Sequence, residues 1–204
     1  MSARSAARRG RTSAPSEAVG GLDEAAEKRL PQPQEDINAM TEESLKAAFA
    51  GESQAAEKYM VFAEQAERDG FPNVARLFRA ISFAETRHAR NHLRTLSGIK
   101  RTADNLQAAF EGESFEIDEM YPAYLEIAKV QGNHQAYRSM NFAIKAEMDH
   151  KRMYADAREQ VLAGGDIDDQ PVSVCLICGH TVIGEVPDRC PVCAAAKAYY
   201  HSFV

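Results

Sequence analysis

The sequence predicts a mainly α protein in which a four-helix bundle is followed by a small metal-binding module. Three observations carry this. Apolar residues recur at helical spacing from Thr41 to about Arg158, interrupted at Gly70-Phe71-Pro72, Ser97-Gly98, Gly132-Asn133 and Gly164-Gly165. "TEESLKAAFAGES" at 41–53 returns as "TADNLQAAFEGES" at 102–114, so the helical part is a duplicated hairpin. All four cysteines fall in "CLICGHTVIGEVPDRCPVC", from Cys175 to Cys193, as two Cys-x-x-Cys pairs.

Residues 1–38 read as a basic and polar tail. Arg4, Arg8, Arg9 and Arg11 precede the first acid, Glu17, and the opening "MSARSAARRGRTSAP" has no large apolar residue after Met1. Such a segment is expected to be disordered. An Arg- and Ser-rich start also suits an organellar transit peptide, although the apolar helical face of a mitochondrial one is missing. Residues 39–162 form the bundle, with helices expected near 41–68, 72–96, 103–131 and 134–162. Thr41 and Thr102 are the expected caps of the first and third, with Glu43 and Asp104 in the first turns. "ETRH" at 85–88 matches "EMDH" at 147–150 at an offset of 62, against 61 for the first pair of motifs. One residue is therefore inserted, and a helix bulge near Pro122 would absorb it. Residues 163–171 are a linker, and 172–204 hold the cysteine module.

The bulk properties exclude several classes. A hydrophobic content of 45% supports a real core. A net charge of −6 argues against a nucleic-acid partner, which needs a basic face. No apolar run reaches the roughly 18 residues a membrane span requires. With every cysteine committed to one cluster, none remains for disulfides, so a reducing compartment, the cytoplasm, is expected.

The chemistry lies on the expected core face. The first helix presents Leu45, Phe49, Glu52, Ala56, Tyr59, Phe62 and Ala63 on one stripe, and the third presents Leu106, Phe110, Glu113, Ile117, Met120 and Tyr124. The second gives Leu77, Phe78, Ile81, Glu85 and His88, and the fourth Met140, Ile144, Glu147 and His150. Four ionised carboxylates in one interior would be intolerable without a neutralising cation. Di-iron and di-manganese carboxylate bundles answer this with one Glu from each of two helices and Glu-x-x-His from the other two. Glu52, Glu113, Glu85 with His88, and Glu147 with His150 satisfy that rule. Imidazole beside carboxylate favours iron or manganese over calcium. Glu116 lies one turn after Glu113, where the first half has Ala55, so it is either an extra ligand or a solvated glutamate. His92, four residues after His88, is not counted as a ligand, and His134 and His201 carry no signal. For Cys175, Cys178, Cys190 and Cys193, spacing alone admits structural zinc as readily as iron.

Taken together, "AGESQA" at 50–55, "ETRH", "GESFE" at 112–116, "EMDH" and the terminal Cys-x-x-Cys pairs resemble the rubrerythrin family over residues 39–204. The resemblance implies a ferritin-like four-helix bundle with a di-iron centre, followed by a rubredoxin-like domain holding one iron in four thiolates. It implies a peroxidase that reduces hydrogen peroxide to water, fed by an external electron donor, a reductase or small redox protein. Carried over, Glu52, Glu85, Glu113 and Glu147 are the shared carboxylates and His150 holds one iron. His88 and Glu116 are alternative ligands of the other. Tyr59 and Tyr121 match tyrosines beside the cluster, or are core aromatics. Gly179 and Pro191 sit in the two metal-binding knuckles, and His180 stands where an aromatic residue is usual. Iron storage or detoxification, and an oxygen-reducing oxidase, are the rival functions.

The connection "SGIKRT" at 97–102 reaches only ~20 Å when extended, while helices of ~25 residues run roughly 37 Å. It cannot carry the long crossover of a ferritin-like bundle. A domain-swapped homodimer is therefore expected.

Overall fold

In the computed structural model, which describes residues 23–34 and 36–204, glycine and proline punctuate a succession of long helices ahead of a small sheet. The expectation for residues 1–22 lies outside the described residues. The chain divides after Gly98 into two units, treated separately below.

In the first unit a single helical turn, α1 (Glu24–Glu27), precedes two long helices, α2 (Ala39–Arg68) and α3 (Pro72–Thr95). Helix α2 starts earlier than Thr41. Asn38 is the cap, its Oδ1 accepting the Thr41 N–H at 3.0 Å, so Thr41 is already inside the first turn. The helix stops at Gly70, whose φ of +86° only glycine adopts without strain, and Pro72 opens α3. At the far end of α3 the left-handed residue is Ser97, with φ +55°. Gly98 has a different role: a Cβ there would press on the Leu93 side chain and come within 3.1 Å of the Leu93 carbonyl oxygen.

The seam between α2 and α3 is built from small residues. Ala56, Ala63 and Ala66 are buried on α2, and Ala75, Ser82 and Ala89 on α3. Ser82 Oγ donates to the Ala56 carbonyl at 2.9 Å, tying the two helices together. Within the single chain the large apolar residues of the expected core lie beside this seam rather than in it: Phe62, Leu77 and Ile81 are 47%, 58% and 38% exposed, because a close seam admits only small side chains and leaves the large ones flanking it.

In the second unit the expected third helix comes in three pieces. Helix α4 (Thr102–Phe115) leads into a π-helical segment, Glu116–Met120, and α5 (Tyr121–Val130) follows. The inserted residue is absorbed ahead of Pro122, whose missing N–H suits the second position of α5. Thr102 does not cap α4; it is the first helical residue. Asn105 secures this entry instead, accepting the Lys100 N–H at 2.9 Å and donating to the Lys100 carbonyl at 2.8 Å. Helix α6 (His134–Leu162) is capped by Asn133 and packs against α4 and α5, where Ala128 and Ala146 are buried. Tyr124, another expected core residue, is 45% exposed.

Beyond α6, strands β1 (Val172–Cys175), β2 (Thr181–Ile183) and β3 (Tyr200–Phe203) form an antiparallel sheet in the order β2-β1-β3. Cys175 and Ser173 are fully buried on the central strand. No described helix is long and apolar enough to cross a membrane.

Candidate metal centre

Both hairpins present the same trio. In the first unit Glu52 on α2 and Glu85 and His88 on α3 offer ligand atoms within 4.8 Å of one another. His88 Nδ1 lies 3.2 Å from Glu85 Oε2 and 3.9 Å from Glu52 Oε1. In the second unit Glu113 on α4 joins Glu147 and His150 on α6 within the same limit. His150 Nδ1 is 2.5 Å from Glu147 Oε2 and 3.9 Å from Glu113 Oε1. Spacing of i, i+3 puts each Glu-His pair on one helical face. The serine of each Gly-Glu-Ser motif is satisfied within its own helix: Ser53 and Ser114 donate to the carbonyls of Phe49 and Phe110, both at 2.7 Å.

The carboxyls crowd one another. Burial, and then the Glu147 charge, push Glu113 up to about 7. Burial and then Glu147 also raise Glu116, the first residue of the π segment, so Glu116 stands beside the second trio. A shared hydrogen bond raises Glu52 and lowers Glu85, as when one carboxyl keeps a proton and donates it to the other. Oxygen donors this close, each group with an imidazole nitrogen beside it, are what a pair of cations would relieve. Each trio by itself is a donor set of the kind a di-iron carboxylate protein uses, and Glu116 stands beside the second.

Tyrosines differ in placement. Tyr121, directly after the π segment, is raised by burial and then by the nearby charges of Glu116, Glu147 and Glu113. Tyr59 packs among aromatics, with ring centroids 6.2 Å from both Phe62 and Phe78. The sequence reading missed Tyr154, one turn after His150, which burial and then Glu113 and Glu147 raise. The repeat carried a signal for it: at the offset of 62 its counterpart is His92, whose charge acts on Glu52.

The four cysteines converge. Cys175 and Cys193 sulfurs are 3.6 Å apart, those of Cys178 and Cys190 3.5 Å, and all four lie within 4.8 Å of one another. All are free thiols. Each Cys-x-x-Cys is followed by a residue with positive φ, Gly179 at +81° and Ala194 at +61°, whose N–H turns back to the carbonyl of Cys175 or Cys190 at 2.9 Å. Burial would raise Cys190, but hydrogen bonds from the Tyr200 hydroxyl and the Cys193 and Val192 N–H groups outweigh it and bring the thiol down to about 6. Burial pushes Cys178 and Cys193 up. His180 is buried where an aromatic was expected, its Nδ1 2.8 Å from Tyr200 Oη and its Nε2 3.6 Å from Asp149 Oδ2. Four convergent sulfurs fit a single tetrahedral metal ion.

Comparison with known proteins agrees with this geometry. The Rubrerythrin family model matches residues 43–158, and the model described as "Rubrerythrin, rubredoxin-like domain" matches residues 174–201. Rubrerythrin-2 of Clostridium acetobutylicum is 37% identical over 180 residues, covering 81% of this chain and 98% of that protein. Rubrerythrin of Porphyromonas gingivalis is 32% identical over 176 residues, covering 78% and 88%. A solved structure titled "Partially Reduced State of Nigerythrin" aligns with a TM-score of 0.49 at 31% identity, covering 84% of this chain and 90% of that one.

Proposed function

The chain belongs to the rubrerythrin family of oxidoreductases, and we propose that it is a peroxidase reducing hydrogen peroxide to water. The single observation that carries this is the duplicated Glu/Glu/His trio on a chain that also gathers four thiols. Glu52, Glu85, Glu113 and Glu147 would hold a pair of irons, with His150 on one and His88 or Glu116 on the other; Cys175, Cys178, Cys190 and Cys193 would hold a third. When bound, the paired irons supply two electrons to the O–O bond and the thiolate iron relays replacements from an external donor.

The chain's own groups arrange the remaining chemistry. Two protons must reach the peroxide oxygens for two waters to leave. Tyr121 and Tyr154 keep their phenolic protons because burial and the facing carboxylates hold them up, so both remain hydrogen-bond donors beside the acids. A storage protein needs no thiolate relay, which favours catalysis. Four free thiols support a reducing compartment, the cytoplasm.

The second copy of this chain is the proposed structural partner. Six residues separate α3 from α4, and large apolar side chains flank the α2–α3 seam uncovered. Exchange of hairpins between two chains would cover those faces and bring two trios to each bundle.

Stopped-flow oxidation of the reduced, iron-loaded protein tests the activity. Peroxide is expected to oxidise it much faster than oxygen; the reverse order replaces the peroxidase with an oxidase. Glu147→Ala should lose peroxide turnover by at least about a hundredfold, and an unchanged rate removes the assignment.

A further inference from the structure

We infer that Thr181 is a positioning residue that fixes the orientation of the His150 ring from within the four-cysteine module. Thr181 Oγ1 lies 2.9 Å from His150 Nε2 and donates to the Gly179 carbonyl at 3.0 Å. A hydroxyl has one proton. With that proton committed to Gly179, the contact to His150 is made only if Nε2 carries the ring proton and the hydroxyl accepts it. Nδ1 is thereby turned to the side where Glu147 and Glu113 lie, the position from which it would bind a metal ion in place of its proton.

The contact is well placed to act. Thr181 and His150 border an apolar cleft of about 570 Å³ walled by Leu106, Met153, Val172, Val174 and Ile183. Without the hydroxyl, Nε2–H would face hydrocarbon. The preceding residue of the module lies alongside, His180 Nε2 being 3.6 Å from Asp149 Oδ2, so two successive residues of the module sit against two successive residues of α6. The Thr181 side chain is thus three residues from Cys178 along the chain and one hydrogen bond from His150. Among the described residues of its own unit His88 has no such support: its side chain is 53% exposed, against 25% for His150. The geometry makes His150 the fixed imidazole of the pair.

The inference rests on His150 being an iron ligand, but not on the choice of oxidant. Ferrous affinity of the full-length protein is read by chelator competition, and the ferric-thiolate absorption reports an intact module. Thr181→Ser keeps the accepting hydroxyl and should bind ferrous iron like wild type. Thr181→Val should lose about tenfold in ferrous affinity, with the thiolate spectrum retained, and Thr181→Ala, which adds no bulk, should show the same loss and decides the matter if Thr181→Val does not fold. Unchanged affinity in the variants without a hydroxyl overturns the inference, and so does a Thr181→Ser protein as impaired as they are. His150→Ala separates the premise: if it binds ferrous iron like wild type, the ligand assignment fails, whereas a loss there beside unchanged Thr181→Ala affinity removes the role of Thr181 alone.

Discussion

Glu113 illustrates what crowding does to a single side chain. Its carboxyl, ordinarily near 4.5, is pushed up to about 7 by burial and by Glu147. The folded, metal-free protein therefore holds a proton between these values that the unfolded chain releases. Stability from this group is present at low pH and is lost as pH rises through 7. Thermal unfolding of the metal-free protein should show that decline, and bound iron should abolish it. Iron must displace the same proton, so ferrous affinity should climb with pH up to about 7, by at most about tenfold per pH unit for one proton, and then level. Titration by chelator competition across that range is the check; a flat profile would show that Glu113 is not displaced. Ala194 makes a second residue-scale case. At φ +61° it sits where a β-branched side chain is strongly disfavoured. Ala194→Val should weaken metal retention in the four-thiol site, read from the absorption spectrum, while Ala194→Gly should retain it.

At the scale of elements, two devices set the site. The first is the small-residue seam, which holds α2 and α3 close enough for Glu52 to reach Glu85 and His88. Ala75 is fully buried there, so Ala75→Leu should overpack the seam and destabilise by about 1–3 kcal/mol, measured by denaturant unfolding. The second is the π segment Glu116–Met120. The first half of the repeat has an ordinary helix at this point, Ala55 in place of Glu116 and Tyr59 in place of Tyr121. The extra residue widens the turn at the position where the extra carboxylate occurs. Deleting Asp118 should restore an ordinary helix, leave helicity unchanged by circular dichroism, and reduce peroxide turnover roughly tenfold by withdrawing Glu116 from Glu147.

For the whole molecule, the exposed apolar residues beside the seam decide what is required. Phe62 and Leu77 stand half-exposed along the α2–α3 hairpin, as side chains that a second hairpin would cover. If hairpin exchange completes the bundle, Leu77→Glu should weaken dimerisation and iron loading together. Sedimentation and metal analysis on the same samples provide the measurement; a monomer with a full iron complement would contradict the exchange.

The chemistry-bearing residues were legible in the chain because their spacing is local. Glu-x-x-His at i, i+3, the repeated Gly-Glu-Ser, and two Cys-x-x-Cys pairs read out through helical periodicity and metal-ligand spacing alone. Helix stops were equally legible, since Gly70, Gly132 and Gly164 occupy left-handed positions that glycine prefers. Caps were less so: a threonine and an asparagine a few residues apart compete for the same role, and Asn38 prevails over Thr41. Which apolar residues are buried, the placement of Tyr154 beside the acids, and the grip of Thr181 on His150 were decided only by tertiary structure. The physical reason is range. Hydrogen bonds between groups 31 residues apart, and seams set by how closely two helices approach, leave no periodic trace in the sequence.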